Sequence, residues 1–466
     1  MPHPFRRALP RHLPRPFDVL ALAAAAFLTI GCGGDDDLPP VPVAEAAPVT
    51  AACPAEVAAI ARCLSGKDSA GAYYYVAMPT TWNGTLVLHA HGGPELGAPT
   101  SADRAAEDLV RWAVMVKAGY AWAGSTFRQG GVEVRAAAAD TERLRGIFRQ
   151  HVAQPRRTIL HGQSWGANVA AKAAETYTAA TNGGTAPYDA VLLTSGVLGG
   201  GTHSYDFRLD LRVLYQHLCQ NHPRPNEPQY PLAIGLPQAS TMTTADLVAR
   251  TSECLALDKP QAQRTPEQQA KVQTIVDVIR IPASSIQSHL NWGTFHFKDI
   301  THNRTGGASP FGNTGALYTG SADDAALNAA VLRFSADPAA YRKFAEDTDL
   351  AGRIPVPVLT LKAVNDPTAF VELDAYFLQT MQAGGSADRL VQTFADFATH
   401  SYLSDPTYVA LMDQLMGWVD RGTKPTAASV AAACPSFEAT FGAGCRLLPG
   451  YAAPALATRV PERTRP

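Results

Sequence analysis

Short apolar runs alternate along this chain with longer segments whose apolar residues recur on one helical face. The runs that predict buried strands are 72–78, 85–89, 120–126, 157–163, 190–195, 356–364 and 390–394. The segments that predict helices between them are 138–151, 165–180, 370–382 and 406–420. Strands that alternate with helices in this way predict an α/β fold with a doubly wound, mostly parallel sheet covered on both faces.

The alternation stops between the strands at 190–195 and 356–364. Residues 198–353 contain proline-rich loops and predicted helices at 244–255, 266–280, 323–334 and 338–346, but no run that predicts a parallel strand. So long a stretch between two strands predicts a large, mainly helical cap or lid insertion. The predicted division is a first part of the core at 53–197, the cap at 198–353, a second part of the core at 354–423, and a C-terminal tail at 424–466 that packs across the core.

The amino end has the composition of an export signal. Four arginines precede an apolar run at 19–30 that is too short to span a bilayer comfortably, and the run ends at Gly31-Cys32. This pattern resembles a bacterial lipobox, so we expect a signal peptide at 1–31, lipidation of Cys32 and a flexible tether at 32–52. Gly33 after the cysteine favours the outer membrane, facing the periplasm or the cell surface. An ordinary secretory signal with an unrelated cysteine is the alternative.

The chain has seven cysteines, and six remain once Cys32 is set aside. An even number in an exported protein predicts disulfides, and local pairing is the simplest of the possible connectivities. The expected pairs are Cys53–Cys63, Cys219–Cys254 and Cys434–Cys445. None of these couples has the spacing of metal ligands, so no metal is predicted.

Charge limits the partners that the chain can have. A net charge of −2 and a pI near 6.7 argue against binding to nucleic acid or to an anionic membrane surface. We therefore expect membrane contact only through the lipid anchor, and a small molecule as the substrate.

The chemistry is indicated by Gly162-Gln163-Ser164-Trp165-Gly166, which lies between a predicted strand and a predicted helix. A Gly-x-Ser-x-Gly sequence in that setting predicts a nucleophile elbow. Serine needs a neighbouring base that a carboxylate orients. Asp366 follows the strand at 356–364, and His400 lies between the last strand and the last helix, so both are expected in the crevice at the carboxyl ends of the strands. Taken alone, Asp366 could be an ordinary turn aspartate before a proline, and His400 could be an ordinary loop histidine.

An oxyanion hole needs backbone N–H donors beside the serine. The N–H of Trp165 is one candidate, and Gly92 or Gly93 in the sequence His91-Gly92-Gly93 is the other. His89 and His91 could suggest a metal, but the sequence shows no third ligand.

Together these motifs resemble the α/β-hydrolase superfamily of serine esterases, lipases, amidases and peptidases. The resemblance covers about 73–195 and 356–422 and implies catalysis by Ser164, His400 and Asp366 through an acyl-enzyme, without a cofactor. It does not cover the cap and therefore implies a reaction rather than a substrate.

The cap contains a stretch at 288–297 that is rich in aromatic residues and histidine. We expect Trp292, Phe295 and Phe297, with His91, to line the substrate pocket; a packed cap core is the alternative. The function predicted is a carboxylic-ester hydrolase. Amide or peptide cleavage by the same triad is the second possibility, and a non-catalytic surface binding protein is the third.

Overall fold

A nine-stranded sheet forms the centre of the computed structural model, which describes residues 44–466. The predicted signal peptide, Cys32 and the first part of the tether lie outside the described residues. In space the strands follow the order β1-β2-β3-β5-β4-β6-β7-β8-β9. Their bounds are β1 Val49–Ala51, β2 Ala61–Lys67, β3 Tyr73–Pro79, β4 Thr85–Ala90, β5 Ala121–Ser125, β6 Arg157–Gln163, β7 Ala190–Thr194, β8 Val358–Ala363 and β9 Leu390–Ala395.

The sheet is mostly parallel, as predicted. The pairs from β5 through β4, β6, β7 and β8 to β9 are all parallel, whereas β1, β2, β3 and β5 pair in antiparallel fashion. Every residue of β4 and β8 is buried. Burial on both faces explains why these strands appear in the sequence as apolar runs without alternation.

The sequence prediction was wrong about the first edge of the sheet. Residues 49–51, which the prediction assigned to the tether, form β1, and β2 was not predicted at all. The two strands pair with Ala51 opposite Cys63, next to the Cys53–Cys63 disulfide. The β2 sequence is too polar to show a strand pattern, so the pairing and the disulfide define this edge instead. All three disulfides join the predicted cysteines.

Helices lie on both faces of the sheet. Their bounds are α1 Asp103–Arg111, α2 Ala113–Lys117, α3 Val134–His151, α4 Trp165–Thr176, α5 Gly200–Ser204, α6 Asp206–Cys219, α7 Thr244–Leu255, α8 Pro266–Ile279, α9 Ile286–Asn291, α10 Phe297–Asp299, α11 Asp324–Ala330, α12 Pro338–Thr348, α13 Glu372–Ala383, α14 Asp405–Arg421, α15 Ala427–Ala433 and α16 Pro435–Phe441. Residues of α1, α2, α14 and α15 form one apolar core with the sheet, and residues of α3, α4 and α13 form another on the opposite face. None of the described helices is long and apolar enough to cross a membrane.

Between β7 and β8 the chain forms helices α5 to α12 and no strand. Local sequence explains several of these helices. For example, α8 begins with Pro266 in its first turn, after Thr265, whose side chain accepts a hydrogen bond from the backbone N–H of Gln268. Helix α11 ends at Ala330, four residues earlier than predicted. We keep the name cap segment for residues 198–353.

The C-terminal tail contacts two parts of the molecule. Leu447 forms a bridge with Ala395 at the end of β9. Further along, Arg463 reaches the cap segment and forms ion pairs with Asp206 and Asp210 of α6. The sheet, the helices on its two faces and the helical insertion after β7 make this an α/β-hydrolase fold.

Candidate active site

Ser164 occupies a sharp turn between β6 and α4. Its backbone has φ 58° and ψ −122°, a conformation that non-glycine residues rarely adopt. A Cβ atom on Gly166 would lie 2.0 Å from the carbonyl oxygen of Ala90 and 2.4 Å from that of His91. Glycine at this position therefore allows α4 to start directly against the loop after β4.

Ser164, His400 and Asp366 form one hydrogen-bonded chain. His400 Nε2 lies 2.7 Å from Ser164 Oγ, and His400 Nδ1 lies 2.8 Å and 3.0 Å from the two carboxylate oxygens of Asp366. The carboxylate accepts from Nδ1–H, which leaves Nε2 free to accept the serine proton. Ser164 and Asp366 are buried, and the His400 side chain is 17% exposed.

The loop that carries Asp366 is held in place by hydrogen bonds. The backbone N–H groups of Thr368 and Ala369 donate to Asp366 Oδ1 at 2.8 Å and 2.9 Å. Lys362, on β8, donates from its ammonium group to the carbonyl oxygens of Ala369 and Gly196, at 3.0 Å and 2.5 Å. Lys362 was not predicted as a functional residue, because a lysine in a strand gives no sign in the sequence that it is fully buried.

Lys362 also has a carboxylate partner inside the protein. Its Nζ lies 3.2 Å from Asp374 Oδ2, and both side chains are completely inaccessible to solvent. Burial raises the pKa of Asp374 above its ordinary value, while the Lys362 ammonium group opposes that rise. Through Lys362, the ion pair connects the loop that carries Asp366, named here the acid loop, to Asp374 on α13.

The candidate oxyanion donors lie on the elbow and on the loop after β4. Trp165 is the first residue of α4, where backbone N–H groups have no partner within the helix. Gly92 approaches the elbow so closely that a Cβ atom there would lie 2.1 Å from Gln163 Oε1. Within residues 44–466, no hydrogen bond uses the backbone N–H of Trp165, Gly92 or Gly93. These three N–H groups therefore have no hydrogen-bond acceptor among the described residues.

A cavity of about 300 Å³ adjoins the elbow. His91, Phe127 and Trp165 are among the residues that line it, and the His91 ring stacks on Phe127 with 4.4 Å between centroids. Burial lowers the pKa of His91 to about 4, so this ring is neutral at physiological pH. Of the four predicted pocket residues, His91 is the one that lines this cavity.

The aromatic residues of the cap segment have other surroundings. Phe297 is fully buried, stacks on Phe311 with 3.9 Å between ring centroids and does not line this cavity. Its place in the substrate pocket stays a prediction. Phe295 is half-buried and packs against the apolar core, and Trp292 stacks on His296. Aromatic density in a sequence does not distinguish a packed core from a ligand-facing wall, because both exclude water.

His89 belongs to a different environment from His91. It is buried on the central strand β4, where its Nδ1 lies 3.0 Å from His161 Nδ1 on the neighbouring strand β6. Burial lowers the pKa of both rings. Within residues 44–466, no group of three or more histidine, cysteine, aspartate or glutamate side chains is arranged to hold a metal ion.

Solved structures similar to this chain include several esterases, each at 12% sequence identity. Feruloyl esterase B from Aspergillus oryzae matches over 81% of this chain and 86% of its own, with a TM-score of 0.41. Acetyl xylan esterase 1 from Thermoanaerobacterium sp. JW/SL YS485 matches over 83% and 90%, with a TM-score of 0.36. A rice cell wall degrading esterase from Xanthomonas oryzae matches over 72% and 83%, with a TM-score of 0.34. No protein-family model and no curated protein sequence matches this chain.

Proposed function

We propose that this protein is a serine hydrolase that cleaves carboxylic esters through an acyl-enzyme. The observation that carries the proposal is the continuous hydrogen-bonded chain from Asp366 through His400 to Ser164, with 2.7 Å between His400 Nε2 and Ser164 Oγ. A serine on a strained turn, a base within hydrogen-bond distance and a buried carboxylate that orients the base are the parts that acyl transfer requires.

The reaction has two halves. In the first, Ser164 Oγ attacks the ester carbonyl carbon while His400 Nε2 accepts the hydroxyl proton. The N–H groups of Trp165 and of Gly92 or Gly93 hold the oxyanion. The tetrahedral intermediate then collapses, and His400 gives the proton to the departing alcohol.

In the second half, water attacks the acyl-enzyme. His400 takes a proton from this water as its oxygen bonds to the acyl carbon, and then returns a proton to Ser164 Oγ as the carboxylic acid leaves. Asp366 remains ionised throughout and stabilises the imidazolium form of His400. One water is consumed, and one acid and one alcohol are released.

The direct test is hydrolysis of 4-nitrophenyl butyrate by wild type, Ser164→Ala and the control Ser436→Ala, which changes an exposed serine in α16. We expect Ser164→Ala to lower kcat by at least about 10⁴-fold and Ser436→Ala to leave it unchanged. A fluorophosphonate probe should label Ser164 of the wild type, as located by peptide mass spectrometry. Ser164→Ala with a kcat within tenfold of the wild type would refute the mechanism. Faster cleavage of the matched anilide would identify an amidase instead.

We also propose that the protein is exported and anchored through a lipid on Cys32. Three disulfides are consistent with an oxidising compartment. Radiolabelled palmitate should enter wild type but not Cys32→Ser when each is expressed in bacteria. Equal labelling of both proteins, or of neither, would contradict the lipid anchor.

A further inference from the structure

Arg208 is a buried cation in the cap segment that has no acidic partner among the described residues. Its side chain lies on α6, and the residue is 5% exposed. Its one hydrogen bond within residues 44–466 runs from Nη1 to the carbonyl oxygen of Ser204, at 3.3 Å, and its buried Nε has no acceptor. A buried guanidinium group normally has a carboxylate to offset the loss of hydration. The donors of Arg208 are therefore largely unused.

Neighbouring carboxylates on α6 do not supply this partner. Asp206 and Asp210 are each two residues from Arg208, and side chains two apart do not face each other on a helix. Both carboxylates instead pair with Arg463 of the C-terminal tail, at 3.4 Å and 2.7 Å. Asp206 also pairs with Arg465 at 2.7 Å. The acidic side of α6 is thus neutralised by the tail, and Arg208 is left on another side.

Arg212, one turn further along α6, shows what a structural arginine looks like in this segment. Its Nη1 donates to three backbone carbonyl oxygens, those of Leu232, Gly235 and Gly293. These acceptors tie α6 to the loops around it. Arg208 has no comparable set, so packing the cap segment does not account for its donors.

Aromatic rings surround the Arg208 guanidinium group. Its Cζ lies 4.4 Å from the centroid of the Trp292 ring, 4.6 Å from that of Phe207 and 5.2 Å from that of Tyr205. Cation–π contacts stabilise the charge but do not occupy its N–H groups. Burial lowers the pKa of Arg208 to about 10, so the group stays charged at neutral pH.

On one side, contacts extend from these rings through His289 to the acid loop. The Phe207 ring lies 4.9 Å from the ring of His289, in an edge-to-face arrangement. His289 Nε2 lies 2.9 Å from the carbonyl oxygen of Pro367, the residue after Asp366. The pKa of His289 is lowered to about 3, chiefly by burial and then by the charge of Arg208.

On the other side, contacts extend from these rings to the loop after β4 that carries Gly92 and Gly93, named here the oxyanion loop. Trp292 stacks on His296 with 4.7 Å between centroids, and His296 Nε2 lies 2.7 Å from the carbonyl oxygen of Pro94, the residue after Gly93. The pKa of His296 is lowered to about 4, again chiefly by burial, with Arg208 contributing. Both histidines are therefore neutral at physiological pH, and Arg208 is the cation between the two loops.

We propose that Arg208 binds a free carboxylate on the substrate, so that the enzyme prefers anionic esters in which the acyl or the alcohol part carries a second, unesterified carboxyl group. A planar guanidinium group can donate two parallel hydrogen bonds to a carboxylate, and aromatic walls exclude water from such a pair. This assignment rests on the proposed ester hydrolysis and adds the class of ester to it.

The test compares 4-nitrophenyl half-esters of succinate, glutarate and adipate with the same compounds methylated at the distal carboxyl group. Several chain lengths are included because the carboxylate must reach Arg208. For at least one length we expect the wild type to prefer the anionic ester in kcat/KM. We expect Arg208→Met to lower that preference by about 10- to 100-fold, mainly through KM, and Arg208→Lys to retain part of it. Arg342→Met, which removes an exposed cation of the cap segment, should leave the preference unchanged.

A second measurement separates this proposal from ester hydrolysis itself. Ser164→Ala should bind the preferred free dicarboxylate in isothermal titration calorimetry, and the double variant with Arg208→Met should not. If the wild type cleaves none of the esters, ester hydrolysis fails, while the titration still tests Arg208. Equal losses for anionic and methylated esters in both Arg208 variants, or no anionic preference at any length, would overturn the proposal. Thermal unfolding of each variant shows whether a loss comes from misfolding.

Discussion

The buried ion pair beneath the acid loop allows a quantitative prediction. Lys362→Met would replace the ammonium group with an apolar side chain of similar length. Asp374 would then lie in the core without its partner, and the carbonyl oxygens of Gly196 and Ala369 would lose their donor. Both side chains of the pair are completely inaccessible, so water cannot replace these contacts.

Removing one member of a buried pair typically costs about 3–5 kcal/mol of folding free energy. We expect a loss of that size at pH 7.5 and a smaller one at pH 5. The pKa of Asp374 is already raised by burial, and the loss of Lys362 removes the main opposing interaction. A protonated Asp374 avoids the cost of a buried charge, so acid favours the folded variant. The double variant Lys362→Met/Asp374→Leu should recover most of the loss.

The assay is urea unfolding followed by tryptophan fluorescence at both pH values, with kcat for 4-nitrophenyl butyrate measured in parallel. Because Lys362 holds the carbonyl of Ala369, the single variant should also lose kcat through displacement of Asp366. A loss below about 1 kcal/mol at pH 7.5, or a double variant less stable than the single one, would refute this account of the pair.

Two further predictions concern Gly166 in the elbow and Asp108, a buried residue of α1. Gly166→Ala would place a Cβ atom 2.0 Å from the Ala90 carbonyl oxygen and displace the oxyanion loop. We therefore expect kcat for the butyrate ester to fall about 100-fold, and an unchanged kcat would contradict the close approach. Burial raises the pKa of Asp108 to about 6 from 3.8, so the folded state binds this proton more tightly than the unfolded state does. Proton binding therefore stabilises the fold fully below about pH 4, and this contribution is lost as the pH rises to 6. Asp108→Asn should therefore gain about 3 kcal/mol relative to wild type across that range in urea unfolding, whereas a pH-independent difference would exclude the shift.

Much of the fold was predictable because its signals are local. Buried parallel strands appear as apolar runs, and the elbow appears as a five-residue motif between a predicted strand and a predicted helix. The order of Ser164, Asp366 and His400 along the chain, each after a predicted strand, was enough to expect them at one edge of the sheet. The disulfides were predictable because each joins cysteines close in sequence.

Other features depended on partners that lie far away along the chain. The strand β2 has a polar sequence and is held by β1 and β3 on either side. In the sequence, Lys362 cannot be distinguished from a solvent-facing lysine. Its side chain is buried in the structure, where Asp374 of α13 pairs with it. Phe297 and Trp292 lie five residues apart, yet one packs in a core against Phe311 and the other against a buried cation.

The sequence by itself determined strands β3 to β9, the elbow and the residues proposed for catalysis, since apolar runs and turn motifs are formed by neighbouring residues. Only the tertiary structure decided which charges are paired. Asp206, Arg208, Asp210 and Arg212 alternate along one helix, and nothing in that alternation tells which will be neutralised. Arg463 of the tail forms ion pairs with the two aspartates, and Arg212 donates hydrogen bonds to backbone carbonyl oxygens. Within residues 44–466, Arg208 is left without an acidic partner, because the stabilisation of a buried charge depends on atoms brought to it from distant parts of the chain.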